Sequence, residues 1–199
     1  MNRIAVIVIL LGALIGSALL FYPQQQDTTK AQLINNDKPQ GGDFTLINVE
    51  GEMKLSDFSD KLVLLYFGYT YCPDICPTNL GNLSVAYRHL TPEQKANTQI
   101  IFVSVDPERD TPKRLQDYAS YFDADIIGLT GDAATLSEIA SRYGVVYAKV
   151  DDPNNGSNYA VDHSAFTYVV APGGQLMTQL PHATSPDQFI DVVKQYTTP

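Results

Sequence analysis

Cysteine is scarce in this chain of 199 residues, which contains only Cys72 and Cys76. A zinc or iron–sulfur site built from four cysteines is therefore excluded, because the second pair of sulfurs is missing. Clusters of lysine and arginine are also lacking, and the formal net charge is −9 at pH 7. Nucleic-acid binding is therefore not expected. The sequence has no internal repeat, and its chemistry must centre on the two cysteines.

The first 40 residues differ in composition from the rest of the chain. Ile4 to Tyr22 is a run of 19 residues without a charge. As a helix it would be about 28 Å long, close to the ~30 Å hydrocarbon core of a bilayer. The run is longer than a signal-peptide core and lacks a small-x-small cleavage site, which predicts an uncleaved membrane anchor over 1–23. Residues 24–40 are polar and predict a flexible tether, and 41–199 are predicted to form the globular domain.

Strands alternate with helices along the predicted domain, and an antiparallel hairpin and a helix close it. The predicted strands are 44–48, 52–55, 61–69, 99–105, 126–129, 145–150, 165–170 and 175–180. The predicted helices are 78–90, 112–122, 132–143 and 186–196, of which the third begins at Asp132 and ends at Gly144. This order predicts an α/β fold with a mixed central sheet flanked by helices.

The two cysteines lie in the run GYTYCPDICP, Gly68 to Pro77, between a predicted buried strand and a helix that Pro77 is expected to open. A helix N-terminus favours a thiolate over a thiol, whereas Asp74 opposes it. Three residues separate the cysteines, which favours metal binding over simple dithiol redox chemistry. A stabilising disulfide is a weak explanation, because so short a loop constrains little of the unfolded chain. A redox-active dithiol is the main rival.

A histidine is the expected third ligand for a metal bound by two cysteine sulfurs. Thiolates select Cu(I), zinc or iron–sulfur clusters, and low-coordinate Cu(I) would accept two sulfurs and one imidazole. His89 is predicted at the end of a helix about three turns from the cysteines, and His182 lies in a late loop. His163 stands before a β-prone segment, next to Asp162 and Ser164, which are candidates to fix its tautomer. A purely structural histidine at this position is the alternative.

Three segments resemble the Sco/SenC family of copper proteins. They are the cysteine run 68–77, the run VSVDPERDTP at 103–112 and the tripeptide Asp-His-Ser at 162–164, and their order and spacing agree over about residues 39–196. The resemblance implies a thioredoxin-like fold, tethered to a membrane, that binds copper through Cys72, Cys76 and His163. In such folds the loop before the late hairpin faces the cysteines, and His163 is predicted in that loop.

The family resemblance also implies a function. It indicates a copper metallochaperone, not an enzyme, that delivers copper to the binuclear centre of the copper-bearing subunit of cytochrome c oxidase. The alternative is a thiol–disulfide oxidoreductase that keeps that subunit's cysteines reduced, with Cys72 and Cys76 forming a redox-active disulfide. A copper donor and a thiol reductant are further expected partners. The domain is expected on the periplasmic side of a bacterial inner membrane, with the mitochondrial inner membrane as the alternative.

Acidic residues in the second matching run are not expected to bind copper. Asp106, Arg109 and Asp110 match the family pattern there, but a carboxylate is a hard ligand that suits Cu(I) poorly. Hydrogen bonds and ion pairs that fix a loop are the predicted role of these three residues. Asp106 and Asp162 are kept as candidates for a supporting position behind the copper ligands.

Overall fold

The computed structural model of this chain describes residues 39–151 and 159–197. The predicted anchor at 1–23 and nearly all of the predicted tether at 24–40 lie outside these residues. Within the described ranges, no helix is both long and apolar enough to cross a bilayer.

The described residues form nine strands and five α-helices. The strands are β1 Thr45–Asn48, β2 Gly51–Lys54, β3 Leu62–Gly68, β4 Thr98–Ser104, β5 Ile126–Leu129, β6 Tyr147–Asp151, β7 Tyr159–His163, β8 Thr167–Val170 and β9 Leu176–Leu180. The helices are α1 Ile75–His89, α2 Pro92–Ala96, α3 Pro112–Ser120, α4 Ala133–Tyr143 and α5 Pro186–Thr197, and a short 3-10 helix spans Leu55–Phe58.

The central sheet is mixed, and its strand order is β5-β4-β3-β8-β9. Strands β3, β4 and β5 run parallel, whereas β8 and β9 add to the sheet in antiparallel fashion. Every residue of β3 and β4 is buried, as their continuous apolar sequences predict for strands covered on both faces. Helix α1 packs against α5, α5 against β3, and α3 against β5. The predicted α/β fold with a mixed sheet is confirmed.

Both predicted ends of helix α4 are confirmed. The Asp132 carboxylate accepts hydrogen bonds from the amides of Ala134 and Thr135, which would otherwise lack partners. Gly144 ends the helix in the left-handed conformation with φ of 68°, which glycine adopts without steric cost.

The predicted start of the helix after the cysteines was wrong. Helix α1 begins at Ile75, with Asp74 at its N-cap, so that Cys76 and Pro77 both lie in its first turn. Proline marks this start imprecisely, because none of the first N–H groups of a helix has an intrahelical partner and a proline there loses no bond.

The predicted loop position of His163 was also wrong. His163 is the last residue of β7, which pairs with β6 outside the central sheet. We call these two strands the β6–β7 hairpin. Tyr159, Val161 and His163 share the face of β7 that is at least partly buried, whereas Ala160 and Asp162 are exposed. The strand has only five residues and ends in two polar ones, so its period of two is a weaker signal than the apolar run that follows.

Candidate metal centre

The structure brings together the three residues that the sequence singled out. The two sulfurs of Cys72 and Cys76 and a ring nitrogen of His163 all lie within 4.8 Å of one another. The Cys76 sulfur is 3.3 Å from Nε2 of His163, and both cysteines are free thiols. They come from the loop after β3, the first turn of α1 and the end of β7. Cys76 is fully buried, whereas Cys72 and His163 are partly exposed, so the site is open on one side.

Strand β3 makes room for the Cys76 sulfur. A Cβ atom at Gly68 would lie 2.7 Å from this sulfur, so any larger residue would displace it or the strand. Tyr66, two residues earlier on the same face of β3, donates a hydrogen bond from its hydroxyl to the Cys76 sulfur over 3.8 Å. The central sheet therefore fixes the position of Cys76 directly.

The two cysteines differ in protonation. The hydrogen bond from the Cys76 side chain lowers the pKa of the Cys72 thiol to about 3, assisted by His163 and by the backbone amides of Cys76 and Asp74 against an opposing effect of burial. The Cys76 amide lies 3.4 Å from the Cys72 sulfur, as expected in the first turn of a helix. The same interaction with Cys72, together with burial, raises the pKa of Cys76. The site thus pairs an accessible thiolate with a buried thiol.

The imidazole of His163 is oriented by backbone and aromatic contacts. Its Nδ1 lies 3.2 Å from the carbonyl oxygen of Ser164. Because a carbonyl only accepts, this contact places a proton on Nδ1 and turns Nε2 toward the Cys76 sulfur. The rings of Tyr66 and Tyr69 contact the imidazole edge to face, with centroids 6.2 and 5.9 Å away. Of the two residues predicted to fix the tautomer, Ser164 contacts the ring through its backbone carbonyl, whereas Asp162 is exposed on the opposite face of β7.

Asp106 lies in the loop after β4. Its carboxylate is fully buried and accepts hydrogen bonds from Nε of Arg109 at 2.5 Å and from the hydroxyl of Tyr159 at 2.6 Å. Asp106 is not a member of the cysteine–histidine group. The ion pair predicted for this loop is present.

Asp110 fixes the loop that leads to Cys72. Its buried carboxylate accepts hydrogen bonds from the amide and hydroxyl of Thr70, at 3.0 and 2.5 Å, and from the hydroxyl of Ser104 at 2.7 Å. We call Asp110, Thr70 and Ser104 the aspartate clamp. It ties the segment between β3 and α1 to the end of β4, in agreement with the predicted loop-fixing role of Asp110.

The other two histidines are not part of the group. His89 ends α1, where its Nδ1 lies 2.8 Å from the Val85 carbonyl, and His182 is exposed in the loop after β9. Sequence reasoning missed Tyr66 and Tyr69, whose rings contact the His163 imidazole, and Tyr159, which contacts Asp106 and Arg109. For Tyr66 a signal existed, since residues 66 and 68 share a face of a strand that ends at the cysteines; for Tyr69 and Tyr159 there was none.

Comparisons with known proteins agree with the resemblance in the sequence. The SCO1/SenC family model matches residues 33–198. A SCO2-like protein of Rickettsia conorii is 32% identical over 200 residues, which cover 97% of this chain and 97% of the relative.

Two solved structures resemble the fold described above. The copper-bound structure of Bradyrhizobium japonicum ScoI matches with a TM-score of 0.72 and 34% identity, over 79% of this chain and 99% of that protein. BsSco, a member of the Sco family of cytochrome c oxidase assembly proteins in which a disulfide switch was identified, matches with a TM-score of 0.60 and 28% identity. That match covers 81% of this chain and 95% of BsSco. The thioredoxin-like fold that the resemblance implied is thereby confirmed.

Proposed function

This chain belongs to the SCO1/SenC family, and from that premise we propose that it is a copper metallochaperone for the assembly of cytochrome c oxidase. Cys72, Cys76 and His163 are the proposed ligands. The observation that carries the proposal is their grouping within 4.8 Å, in a fold whose Bradyrhizobium japonicum relative holds copper. The role in oxidase assembly is supported by the likeness to BsSco.

The chemistry of the donor atoms favours copper over harder metals. Sulfur and imidazole ligands suit Cu(I), and the nearby carboxylates of Asp106 and Asp162 are held by other groups or turned outward. Cys72 is already a thiolate, whereas Cys76 must release its proton when the metal arrives. Copper loading would therefore begin at Cys72 and release about one proton from Cys76.

Transfer would proceed by exchange of ligands. A thiolate of the acceptor replaces one ligand of this chain at a time, and copper keeps its oxidation state. His163 is the first ligand to leave, since neutral imidazole binds Cu(I) more weakly than a thiolate. Cys76, which is buried and fixed by the central sheet, is the last. The acceptor in this proposal is the copper-bearing subunit of cytochrome c oxidase, and a separate donor and a thiol reductant supply copper and free thiols.

The proposed location follows from the sequence. The predicted anchor at 1–23 and tether at 24–40 would hold the domain at 41–199 beside a membrane, outside the cytoplasm. The periplasmic side of a bacterial inner membrane is the preferred site of action, with the mitochondrial inner membrane as the alternative.

Thiol–disulfide exchange is the second candidate. An accessible thiolate beside a buried thiol, as in Cys72 and Cys76, is an arrangement that reactive dithiols use. Copper binding is preferred because His163 contacts Cys76 directly, and a dithiol needs no imidazole at that position. In the preferred proposal the chain is a carrier and not an enzyme.

An anaerobic Cu(I) titration of the reduced chain against a competing chelator tests the proposal. We expect one tight equivalent, lost in Cys72→Ala and Cys76→Ala, and weakened about tenfold or more in His163→Ala. His182→Ala, an exposed histidine remote in sequence from the group, is the matched control and should bind as the unmodified chain does. Absence of tight copper in the fully reduced protein would overturn the chaperone proposal, and reduction of a peptide disulfide by the metal-free protein would then favour the second candidate.

A further inference from the structure

The β6–β7 hairpin carries His163 but shares no strand pairing with the central sheet. Other contacts must therefore hold the imidazole in front of the sulfurs. We propose that Arg109, paired with the buried Asp106, is a positioning residue that latches this hairpin and so sets the place of His163. The inference rests on the proposed function, because it assigns Arg109 to the copper ligand set through His163.

The geometry of β7 links the latch to the ligand. Side chains alternate across a strand, so that Tyr159 and His163, four residues apart, point to the same face. The two residues are about 13 Å apart along the strand at ~3.3 Å per residue. A contact that fixes Tyr159 therefore fixes the near end of the element whose far end is the imidazole.

Arg109, Asp106 and Tyr159 form a closed cycle of hydrogen bonds. Arg109 donates from Nε to Asp106 at 2.5 Å and from a terminal nitrogen to the backbone carbonyl of Tyr159 at 2.9 Å. The Tyr159 hydroxyl returns a hydrogen bond to Asp106 at 2.6 Å, and the guanidinium carbon lies 3.7 Å from the centre of the Tyr159 ring. We call these three residues the arginine latch. A planar guanidinium can stack and donate in two directions at once, which an ammonium cannot.

The latch is fixed to the body of the domain. The amide of Asp106 donates to the hydroxyl of Ser104, the last residue of β4, at 3.0 Å. A second salt bridge, Lys149 to Glu108 at 2.5 Å, also joins the hairpin to this loop, but both side chains are largely exposed and the pair contributes little. The cycle around Arg109, in which Asp106 is buried and Arg109 and Tyr159 are partly buried, is therefore the stronger of these two attachments of the hairpin.

Arg109 reaches His163 by a second route. Its guanidinium lies 5.7 Å from the centre of the Tyr69 ring, and that ring in turn contacts the imidazole edge to face at 5.9 Å. Arg109 thus supports both the strand that carries His163 and one of the rings against which the imidazole rests.

A double-mutant cycle in the full chain tests this inference. Arg109→Gln removes the charge and the stacking, and we expect it to weaken Cu(I) binding about fivefold or more, toward the affinity of His163→Ala. In the double variant Arg109→Gln/His163→Ala, binding should be no weaker than in His163→Ala alone, because Arg109 acts through the imidazole. Arg109→Lys should retain only part of the affinity, because the charge remains while the two-directional contact is lost.

Amide hydrogen exchange supplies a readout that does not depend on copper. In the metal-free Arg109→Gln protein, the amides of β7 should exchange about tenfold faster or more, whereas those of β3 and β4 should keep their protection. Retained protection of β3 and β4 also establishes that the variant folds. Arg114→Gln is the matched control for β7 exchange. Its guanidinium, like that of Arg109, stacks on Tyr71, but its polar contacts go to Thr70 and Asp110, and no contact joins it to the hairpin among the described residues.

Each outcome bears on one conclusion. Unchanged affinity and unchanged β7 exchange in Arg109→Gln would overturn the latch and leave the proposed function intact. Losses that add in the double variant would likewise overturn it, since Arg109 would then act independently of His163. Unchanged affinity in His163→Ala would instead overturn the proposed ligand set itself.

Discussion

The two halves of the candidate metal centre are built in different ways. The cysteine half, Cys72 and Cys76, lies on the junction of β3 and α1, where the central sheet and the aspartate clamp hold it. The histidine half, His163, ends a two-stranded hairpin outside that sheet and depends on the arginine latch. The comparison teaches that the two proposed sulfur ligands are held by the central sheet, whereas the proposed imidazole ligand is held by a separate hairpin, an arrangement that suits the proposed binding and release of copper.

The largest expected effect concerns the charge of the cysteine half. Because the pKa of Cys72 is about 3, its alkylation by iodoacetamide should be nearly independent of pH between about 5 and 8 and fall only as the pH approaches 3. An ordinary thiol with a pKa of about 8.5 would react about tenfold more slowly for each unit of pH below that value. Mass spectrometry of the labelled protein should find Cys72 modified and the buried Cys76 spared.

Two variants test which half of the site stabilises the negative charge of the Cys72 thiolate. The contact with Cys76 is the main cause of the lowered pKa of Cys72, and that with His163 is a smaller one. Cys76→Ala should therefore move the alkylation profile to higher pH by more than His163→Ala does; the reverse order would contradict the division into halves. A thiol in the unfolded chain has a pKa of about 8.5, so the folded state binds fewer protons between about pH 3 and pH 8.5. The reduced protein should therefore gain stability as the pH rises through that window and lose it as the pH falls.

The next effect tests how much the aspartate clamp stabilises the cysteine half. Asp110→Ala leaves one buried donor, the Ser104 hydroxyl, and two partly buried donors of Thr70 without their acceptor, and we expect it to lower the free energy of unfolding by about 3 kcal/mol in urea denaturation. Asp117→Ala is the control, because its ion pair with Lys113 is exposed and should contribute less than about 0.5 kcal/mol. Equal losses of unfolding free energy in the two variants would mean that the clamp does not stabilise the cysteine half.

The smallest effect tests how tightly β3 fits the Cys76 sulfur. Gly68→Ala would place a methyl group 2.7 Å from that sulfur, and the resulting strain should cost about 1–3 kcal/mol of stability and reduce Cu(I) affinity. Gly81→Ala in helix α1 meets no atom within 4 Å and should instead stabilise the protein by up to about 1 kcal/mol. If Gly68→Ala changed neither stability nor Cu(I) affinity, the cysteine half would not be the more rigid of the two halves.

The sequence predicted the cysteine half better than the histidine half. Continuous apolar runs identify β3 and β4, and the cysteine run stands between a strand and a helix, so both position and residue type are visible locally. The pairing of β7 with β6 is not local: a five-residue strand whose last two residues, Asp162 and His163, are polar resembles a loop until its partner is known. The contacts of Tyr159 with Asp106 and Arg109 depend on that pairing, so no spacing rule could have revealed them.

The alternation of β7 has a consequence for how this site can change in evolution. A one-residue insertion or deletion between Tyr159 and His163, with the latch retained, would turn every side chain beyond it to the other face of the strand. The soft imidazole would then face solvent, and a carboxylate such as that of Asp162 would face the sulfurs. The number of positions from Tyr159 to His163 must therefore stay even for an imidazole to face the sulfurs. Which side chain faces them depends on this spacing as well as on the residue type.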